Sequence, residues 1–247
     1  MGVPAYLLSV FLLLAFLSPA AAKELVIDLS KSVVAITTGF VGSDLLLFGT
    51  VEGEGDVIVI VRGPQRDEIV RRKERVAGIW VNRDEVVFDQ VPAFYAIASN
   101  RPIDEYLLPE VRDEYQIGAA HLEIIPRQAI LTAGEVNEFR NALIRNKQRQ
   151  GLYAPRLGNV IFLSNRLFRT QLSFPANVTT GTYGVDVYLV RNGQIAGVET
   201  TLLTVRKFGL EAGIYDFAHR HAMAYGVLAI LVAGMAGWLA GVIFRKA

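Results

Sequence analysis

Basic side chains concentrated in residues 62–75 are the first candidates for binding chemistry. This segment contains Arg62, Arg66, Arg71, Arg72, Lys73 and Arg75. Alternate residues of an extended strand face the same side, so Arg71, Lys73 and Arg75 are predicted to share one face. Such a face could bind an anion, a phospholipid headgroup or an acidic partner. A solvated edge strand, kept from aggregating by its charge, explains the same pattern and is the preferred interpretation.

Other chemistry leaves little trace in the sequence. The chain has no cysteine, which excludes disulfides, thiolate metal sites and thiol nucleophiles. His219 and His221 are two residues apart, a spacing that points them to different faces of a helix. No serine-hydrolase, zinc-protease or nucleotide-binding motif occurs in residues 23–221. The sequence therefore predicts a non-enzymatic protein with no catalytic residue, metal site or cofactor.

Charge and hydrophobicity indicate where the chain resides. The 25 basic and 24 acidic residues give a net charge of +1, which argues against a nucleic-acid partner. Hydrophobic residues make up 52% of the chain, a high share for a soluble domain. They are most concentrated at the two ends, so the sequence predicts a protein that contacts a lipid bilayer.

The N-terminal residues 1–22 are predicted to be a signal peptide. They carry no charged side chain, and the apolar run 6–17 has the length of a signal-peptide core. Ala20 and Ala22 form the small-residue pattern that precedes a cleavage site, so cleavage is expected after Ala22. The alternative is a retained signal anchor, because about 20 uncharged residues can just span a bilayer.

The C-terminal residues 222–244 are predicted to form a transmembrane helix. They carry no charge, and at about 1.5 Å per residue they would cover roughly 34 Å, enough to cross a bilayer. With the signal peptide exporting residues 23–221, the tail 245–247 stays in the cytoplasm. The chain is therefore predicted to cross the membrane once.

Small residues recur within this helix every four positions, at Ala229, Ala233, Gly237 and Gly241. This spacing places them on one helical face, where a second helix could approach closely and gain van der Waals contact. We interpret the face as a docking surface for an integral membrane partner, or for a second copy of the chain.

Between these ends, residues 23–207 are predicted to form a β-rich domain. Short runs of branched and aromatic residues separated by turn residues suggest an immunoglobulin-like (Ig-like) β-sandwich. The segment Asn192-Gly193 is typical of a hairpin turn, and Tyr183 resembles a tyrosine corner. One predicted strand covers residues 76–81. Two smaller β subdomains are the alternative.

A helical insertion is predicted at about residues 101–157, within this β-rich domain. Thr132 and Glu135 have the spacing of a capping box for its longest helix. After the domain, residues 208–221 are predicted to be an amphipathic juxtamembrane segment that leads into the membrane.

The chain resembles a known family along nearly its whole length. The resemblance is carried by Phe48-Gly49, Val61-Arg62-Gly63-Pro64, Arg71-Arg72-Lys73, RVAGIWVN at 75–82 and FYAIASNRP at 94–102. These segments are similar to the uncharacterised alphaproteobacterial putative transmembrane protein family. The resemblance implies a Gram-negative inner membrane, a body in the periplasm and gene neighbourhoods that encode sulfite-exporter-type permeases. The family supplies no established functional residues to carry over.

These observations together favour one function over two others. The leading hypothesis is a membrane-anchored periplasmic accessory protein that docks on an integral inner-membrane partner such as a permease. The second is a binder of an anionic envelope ligand through Arg71, Lys73 and Arg75. The third is an enzyme of uncharacterised activity.

The topology prediction can be checked directly. N-terminal sequencing of the membrane-extracted protein should give Lys23 as the first residue, because signal peptidase would cut after Ala22. An intact Met1 or Gly2 would contradict cleavage. In that case residues 6–17 could themselves pack on the small-residue face around Gly237.

Overall fold

The computed structural model describes residues 24–76, 78–127, 131–208 and 218–244. The predicted signal peptide 1–22, the cytoplasmic tail 245–247 and residues 209–217 of the predicted juxtamembrane segment lie outside the described residues. Strands dominate the described domain, which confirms the mainly β class.

Twelve strands are described between residues 25 and 207. They are β1 Leu25–Leu29, β2 Val33–Ile36, β3 Gly42–Val51, β4 Asp56–Arg62, β5 Gln65–Val76, β6 Ile79–Pro92, β7 Tyr95–Ser99, β8 Ile125–Pro126, β9 Gly158–Phe162, β10 Leu167–Pro175, β11 Gly181–Arg191 and β12 Gln194–Lys207. The turn between β11 and β12 falls at Asn192-Gly193, and this prediction is confirmed. Both residues have a positive φ, at 51° and 76°, as the tight hairpin requires.

Nine strands form one sheet in the order β1-β3-β10-β9-β7-β4-β11-β12-β2. The first strands of the chain lie at opposite ends of this order: β1 pairs antiparallel with β3, and β2 pairs parallel with β12. Only residues 30–32 separate β1 from β2, so the two ends of the sheet must lie next to each other. The sheet therefore curls around a common core.

The inward side chains of this curled sheet are almost all apolar. They include Leu47, Val59, Phe168, Val187 and Leu203, each fully buried. The Tyr183 hydroxyl donates to the Thr179 carbonyl at 2.6 Å, which is the contact of a tyrosine corner. The Ig-like assignment itself stays a prediction.

A second, three-stranded sheet has the order β5-β6-β8. The predicted strand over residues 76–81 is wrong, because β5 ends at Val76, β6 begins at Ile79 and these two residues pair across the hairpin. Gly78, with φ at +88°, lies at the turn that the apolar run concealed. The charged residues before Val76, predicted to form a solvated edge strand, lie in β5.

Helices occupy the chain between β7 and β9. They are a 3-10 helix at Ile103–Glu105, α1 at Pro109–Glu114, a 3-10 helix at Ala119–His121 and α2 at Ala133–Arg149. The capping box at the start of α2 is confirmed: Thr132 and Glu135 each accept a backbone hydrogen bond from the other. Phe139 and Leu143 of α2 pack in a second hydrophobic core with Val70, Val86 and Phe88 of the small sheet.

The C-terminal helix, α3, covers Ala222–Phe244. Its segment Ala222–Gly241 is long and apolar enough to span a bilayer, and none of it is buried against the described protein. The predicted single apolar helix at this end of the chain is therefore confirmed.

Two glycines test how closely the strands of the large sheet approach. A Cβ on Gly49 would lie 2.5 Å from the Val26 carbonyl oxygen and 2.7 Å from the Phe168 ring, whereas a Cβ on Gly184 meets nothing within 4 Å. Gly49→Ala should lower the free energy of unfolding by about 1–3 kcal/mol through overpacking. The matched Gly184→Ala should leave it unchanged or raise it by about 0.5 kcal/mol. Denaturant unfolding in detergent measures both, and equal stabilities would contradict the packing.

Candidate functional surfaces

The structure places Arg71, Lys73 and Arg75 on one exposed face of β5. This strand pairs only with β6, so it is an edge of the small sheet. The three side chains alternate with Val70, Arg72 and Glu74, which are buried or half-buried. The predicted solvated edge strand is therefore what the chain forms, and anion binding stays a prediction.

Protein groups already satisfy two of these three cations. Arg71 Nε donates to Glu85 at 2.7 Å, and Arg75 Nε donates to the Gly78 carbonyl at 3.3 Å. No ion pair holds Lys73 within the described part of the chain. An anion bound to all three would compete with Glu85, so Lys73 is the most available of them.

The opposite face of the hairpin is braced by α2. Arg72 donates to Glu138 at 2.7 Å, lies 3.5 Å from Asp84 and stacks over the Phe139 ring at 4.8 Å. Lys147, near the other end of α2, is 6% exposed and pairs with Glu68 at the base of β5. The helix thus runs antiparallel to β5, with a charge contact near each end.

The sequence interpretation missed the role of Lys147. Basic residues in the last turn of a helix usually complement the helix dipole and need no further role. However, Lys147 follows Phe139 and Leu143 at four-residue intervals, so it lies on their apolar face. That spacing is the signal that could have identified it as a buried cation.

The end of the β5–β6 hairpin is apolar and uncovered. Ile79 is 69% exposed and Trp80 is 65% exposed, and Val76 and Val81 are also exposed. We call Val76, Gly78, Ile79, Trp80 and Val81 the hairpin tip. Sequence interpretation assigned these residues to a strand interior and so gave them no separate role.

Arg62, the first cation of the basic segment, does not belong to this surface. It donates to Asp186 on β11 at 2.5 Å and to the carbonyls of Tyr115 and Gln116 at 2.9 and 3.3 Å. It therefore joins the large sheet to the helical insertion. Arg62 is therefore a structural cation, held by one carboxylate and two backbone carbonyls.

Tyr95 extends the same polar link. Its hydroxyl donates to the Gln116 carbonyl at 3.1 Å and accepts from the Gly118 backbone at 2.7 Å. Burial raises the pKa of Tyr95 to about 12, so the phenol keeps its proton at physiological pH. It acts here as a hydrogen-bond donor and is a poor candidate for a general base.

The tripeptide Ser-Asn-Arg occurs twice, at residues 99–101 and 164–166. Asn100, Ser164 and Asn165 line part of an open cleft of about 490 Å³ at the end of the large sheet away from Arg62. Asn100 accepts from the Val57 backbone at 2.9 Å, and Arg101 binds both carboxylate oxygens of Asp56. The hydrogen bonds from Arg101 and Asn100 hold the pKa of Asp56 below its usual range, although burial opposes them. These contacts are those of turn residues that fix strand ends.

The small residues of α3 have no partner within the described protein. A Cβ added at Gly237 or Gly241 meets no atom within 4 Å, and Ala229 and Ala233 are exposed. No group of three or more His, Asp or Glu side chains suited to a metal occurs in the described ranges. The hairpin tip and α3 are therefore two uncovered apolar surfaces of the described protein.

A mainly β domain followed by one uncovered apolar helix defines a class of proteins anchored to a membrane by a single helix. The chain belongs to the family described as Putative transmembrane protein (Alph_Pro_TM), whose profile matches residues 24–246. This confirms the resemblance found in the sequence. No curated protein matches the chain.

The buried ion pair beneath the hairpin can be tested by a double-mutant cycle. Lys147→Met should lower the free energy of unfolding by about 1–3 kcal/mol, because it leaves the half-buried Glu68 carboxylate unpaired. Adding Glu68→Leu should restore most of this loss, since an apolar pair of similar volume needs no counter-charge. Denaturant unfolding of the three variants and the wild type measures the cycle. Strictly additive effects would show that the two side chains are not coupled.

Proposed function

We propose that this protein is a non-enzymatic accessory protein of the Gram-negative inner membrane. Its β domain lies in the periplasm, residues 245–247 lie in the cytoplasm, and α3 docks on an integral membrane partner such as a permease. The observation that carries the proposal is the uncovered α3 with its small residues at every fourth position.

The surface of α3 supports docking inside the bilayer. Lipid chains are as apolar as Leu, so hydrophobicity alone gives no gain when two helices associate there. A face of Ala229, Ala233, Gly237 and Gly241 allows the backbones to approach and adds van der Waals contacts that lipid does not provide. The bulky residues Leu231 and Leu239 lie away from this face and suit contact with lipid.

The β domain supports a binding role over a catalytic one. The tyrosine with the most hydrogen-bonded environment, Tyr95, is held protonated, and Arg62 is fully engaged in structural contacts. The cleft beside Asn100 and Asn165 is open, and the nearby Asp56 is already paired with Arg101. None of these described groups combines a nucleophile with a base that could activate it.

The second candidate, an anionic envelope ligand on β5, is less well supported. Arg71 already pairs with Glu85, and Arg75 donates to its own hairpin backbone. A ligand would gain one unpaired cation, Lys73, and would have to displace a carboxylate to gain more. An enzymatic role ranks third, for the reasons given above.

The docking face can be tested with a matched pair of substitutions. Gly237→Ile places a branched side chain on the small-residue face, whereas Ala224→Ile adds the same side chain about 140° around the helix. Crosslinking in native membranes followed by purification in mild detergent should recover a complex with the wild type and with Ala224→Ile. Gly237→Ile should reduce the yield of that complex about tenfold, since close packing at a glycine tolerates no branched side chain.

Two results would contradict the proposal. The first is recovery of the wild-type protein only as a monomer under these conditions. The second is an equal loss of complex in both variants, because general damage to the helix would then explain the effect. Identification of the crosslinked partner by mass spectrometry separates a permease from a second copy of the chain.

A further inference from the structure

We propose that the hairpin tip inserts into the headgroup region of the bilayer that α3 crosses, so that the chain contacts one membrane at two places. The occupant is the lipid surface itself, and the contact needs no protein partner. The inference is therefore independent of the docking of α3 on an integral protein.

The tip is apolar on both faces of the hairpin. Trp80 pairs with Arg75 and lies on one face, whereas Val76 and Ile79 pair with each other and lie on the other face. A strand that packs on a protein surface buries one face and leaves the other to solvent. An end that exposes apolar side chains on both faces fits immersion in a lipid interface, where Trp is especially favoured.

Cations lie just behind the apolar end. Lys73 and Arg75 are one to three residues from Val76, which at about 3.3 Å per residue places them within roughly 10 Å of the tip. Apolar groups that enter the interface reach about 5–10 Å below the headgroups. Lys73 and Arg75 would then lie at the level of the phosphates, and Lys73 has no carboxylate partner in the described residues.

Strand directions place the hairpin at the membrane side of the domain. Both β4 and β12 pair antiparallel with β11, so they run in the same direction. Gly184 of β11 pairs with Arg62, the last residue of β4, on one side and with Leu202, near the end of β12, on the other. The ends of β4 and β12 therefore lie at the same end of the large sheet. The hairpin continues from β4 without a break in pairing, because Ala93 donates to the Pro64 carbonyl. It therefore leaves the large sheet at the end from which the chain proceeds to α3.

The length of chain between β12 and α3 keeps the domain close to the bilayer. Residues 208–221 number 14 and can span at most about 50 Å. The hairpin from Gln65 to Val76 is itself about 40 Å long at the usual rise per residue. The tip can thus contact the lipid surface within the reach of this connection.

The brace from α2 makes the hairpin stiff enough to present its tip. Arg72 is held by Glu138 beyond the midpoint of β5, and Lys147 is held by Glu68 near its base. A long two-stranded hairpin without such support is only marginally stable in water. With it, the tip is positioned before it meets the lipid, and little conformational entropy is lost on insertion.

The test uses the full chain reconstituted into vesicles through α3. The chain has two tryptophans, so Trp238→Phe leaves Trp80 as the reporter. In vesicles of phosphatidylcholine and phosphatidylglycerol, Trp80 emission should lie at shorter wavelength than the emission of an exposed tryptophan. Brominated acyl chains should quench it relative to the same vesicles without bromine. Lys73→Gln or Arg75→Gln should each lower the ratio of inserted to free tip about fivefold, since each removes one cation near an anionic surface.

Two controls define the range of the measurement. Trp80→Phe leaves Trp238 inside α3, which should be strongly quenched. Val198→Trp, combined with Trp80→Phe and Trp238→Phe, places a single tryptophan on an exposed site of β12. The brominated acyl chains should quench this tryptophan no more than bromide ion dissolved in the buffer does. The proposal is overturned if Trp80 behaves like the Val198→Trp control. It is equally overturned if Trp80 shifts to the blue without bromine quenching, because protein would then cover the tip.

Discussion

The fold depends on one constraint: the N-terminal segment 25–36 pairs with two different strands, through β1 with β3 and through β2 with β12. Ser30 ends β1 by exchanging hydrogen bonds with Leu46, donating from its backbone and accepting through its hydroxyl, and Ser32 accepts from the Thr204 backbone as β2 begins. Within three residues the chain therefore passes from one end of the nine-strand order to the other. β1 and β2 are the two outermost strands of that order, so residues 30–32 join its two edges directly.

Local signals in the sequence predict local structure well. Contacts between distant segments of the chain cannot be predicted from it. Asn192-Gly193 and the Thr132–Glu135 box each encode their own geometry, so both were found. The hairpin at Gly78 was missed because an apolar run around one glycine looks like a strand interior. The Lys147–Glu68 pair joins residues 79 positions apart, and no spacing rule reaches that far.

The same distinction applies to the candidate surfaces. The four-residue repeat in α3 and the alternation of Arg71, Lys73 and Arg75 follow from helix and strand periods, so the sequence was sufficient to place them on faces. The sequence did not reveal that Arg71 is paired with Glu85 or that Arg62 is turned away from the others toward Asp186. Charge counts in one segment therefore overstated the charge available to a ligand, because counter-ions came from other strands.

The parallel pairing of β2 with β12 has a mechanical consequence. Tension between the anchor and the domain would pull along β12, whose last residues are bonded to β2 from Val33 to Ile36. These hydrogen bonds lie perpendicular to the applied force. The two strands must therefore separate by shear, in which the bonds break together, and not by breaking one bond at a time from the end. The strand that carries the load is also sandwiched between two neighbours, β11 and β2. This pairing thus lets the domain bear a pull transmitted through α3 without losing its C-terminal strand.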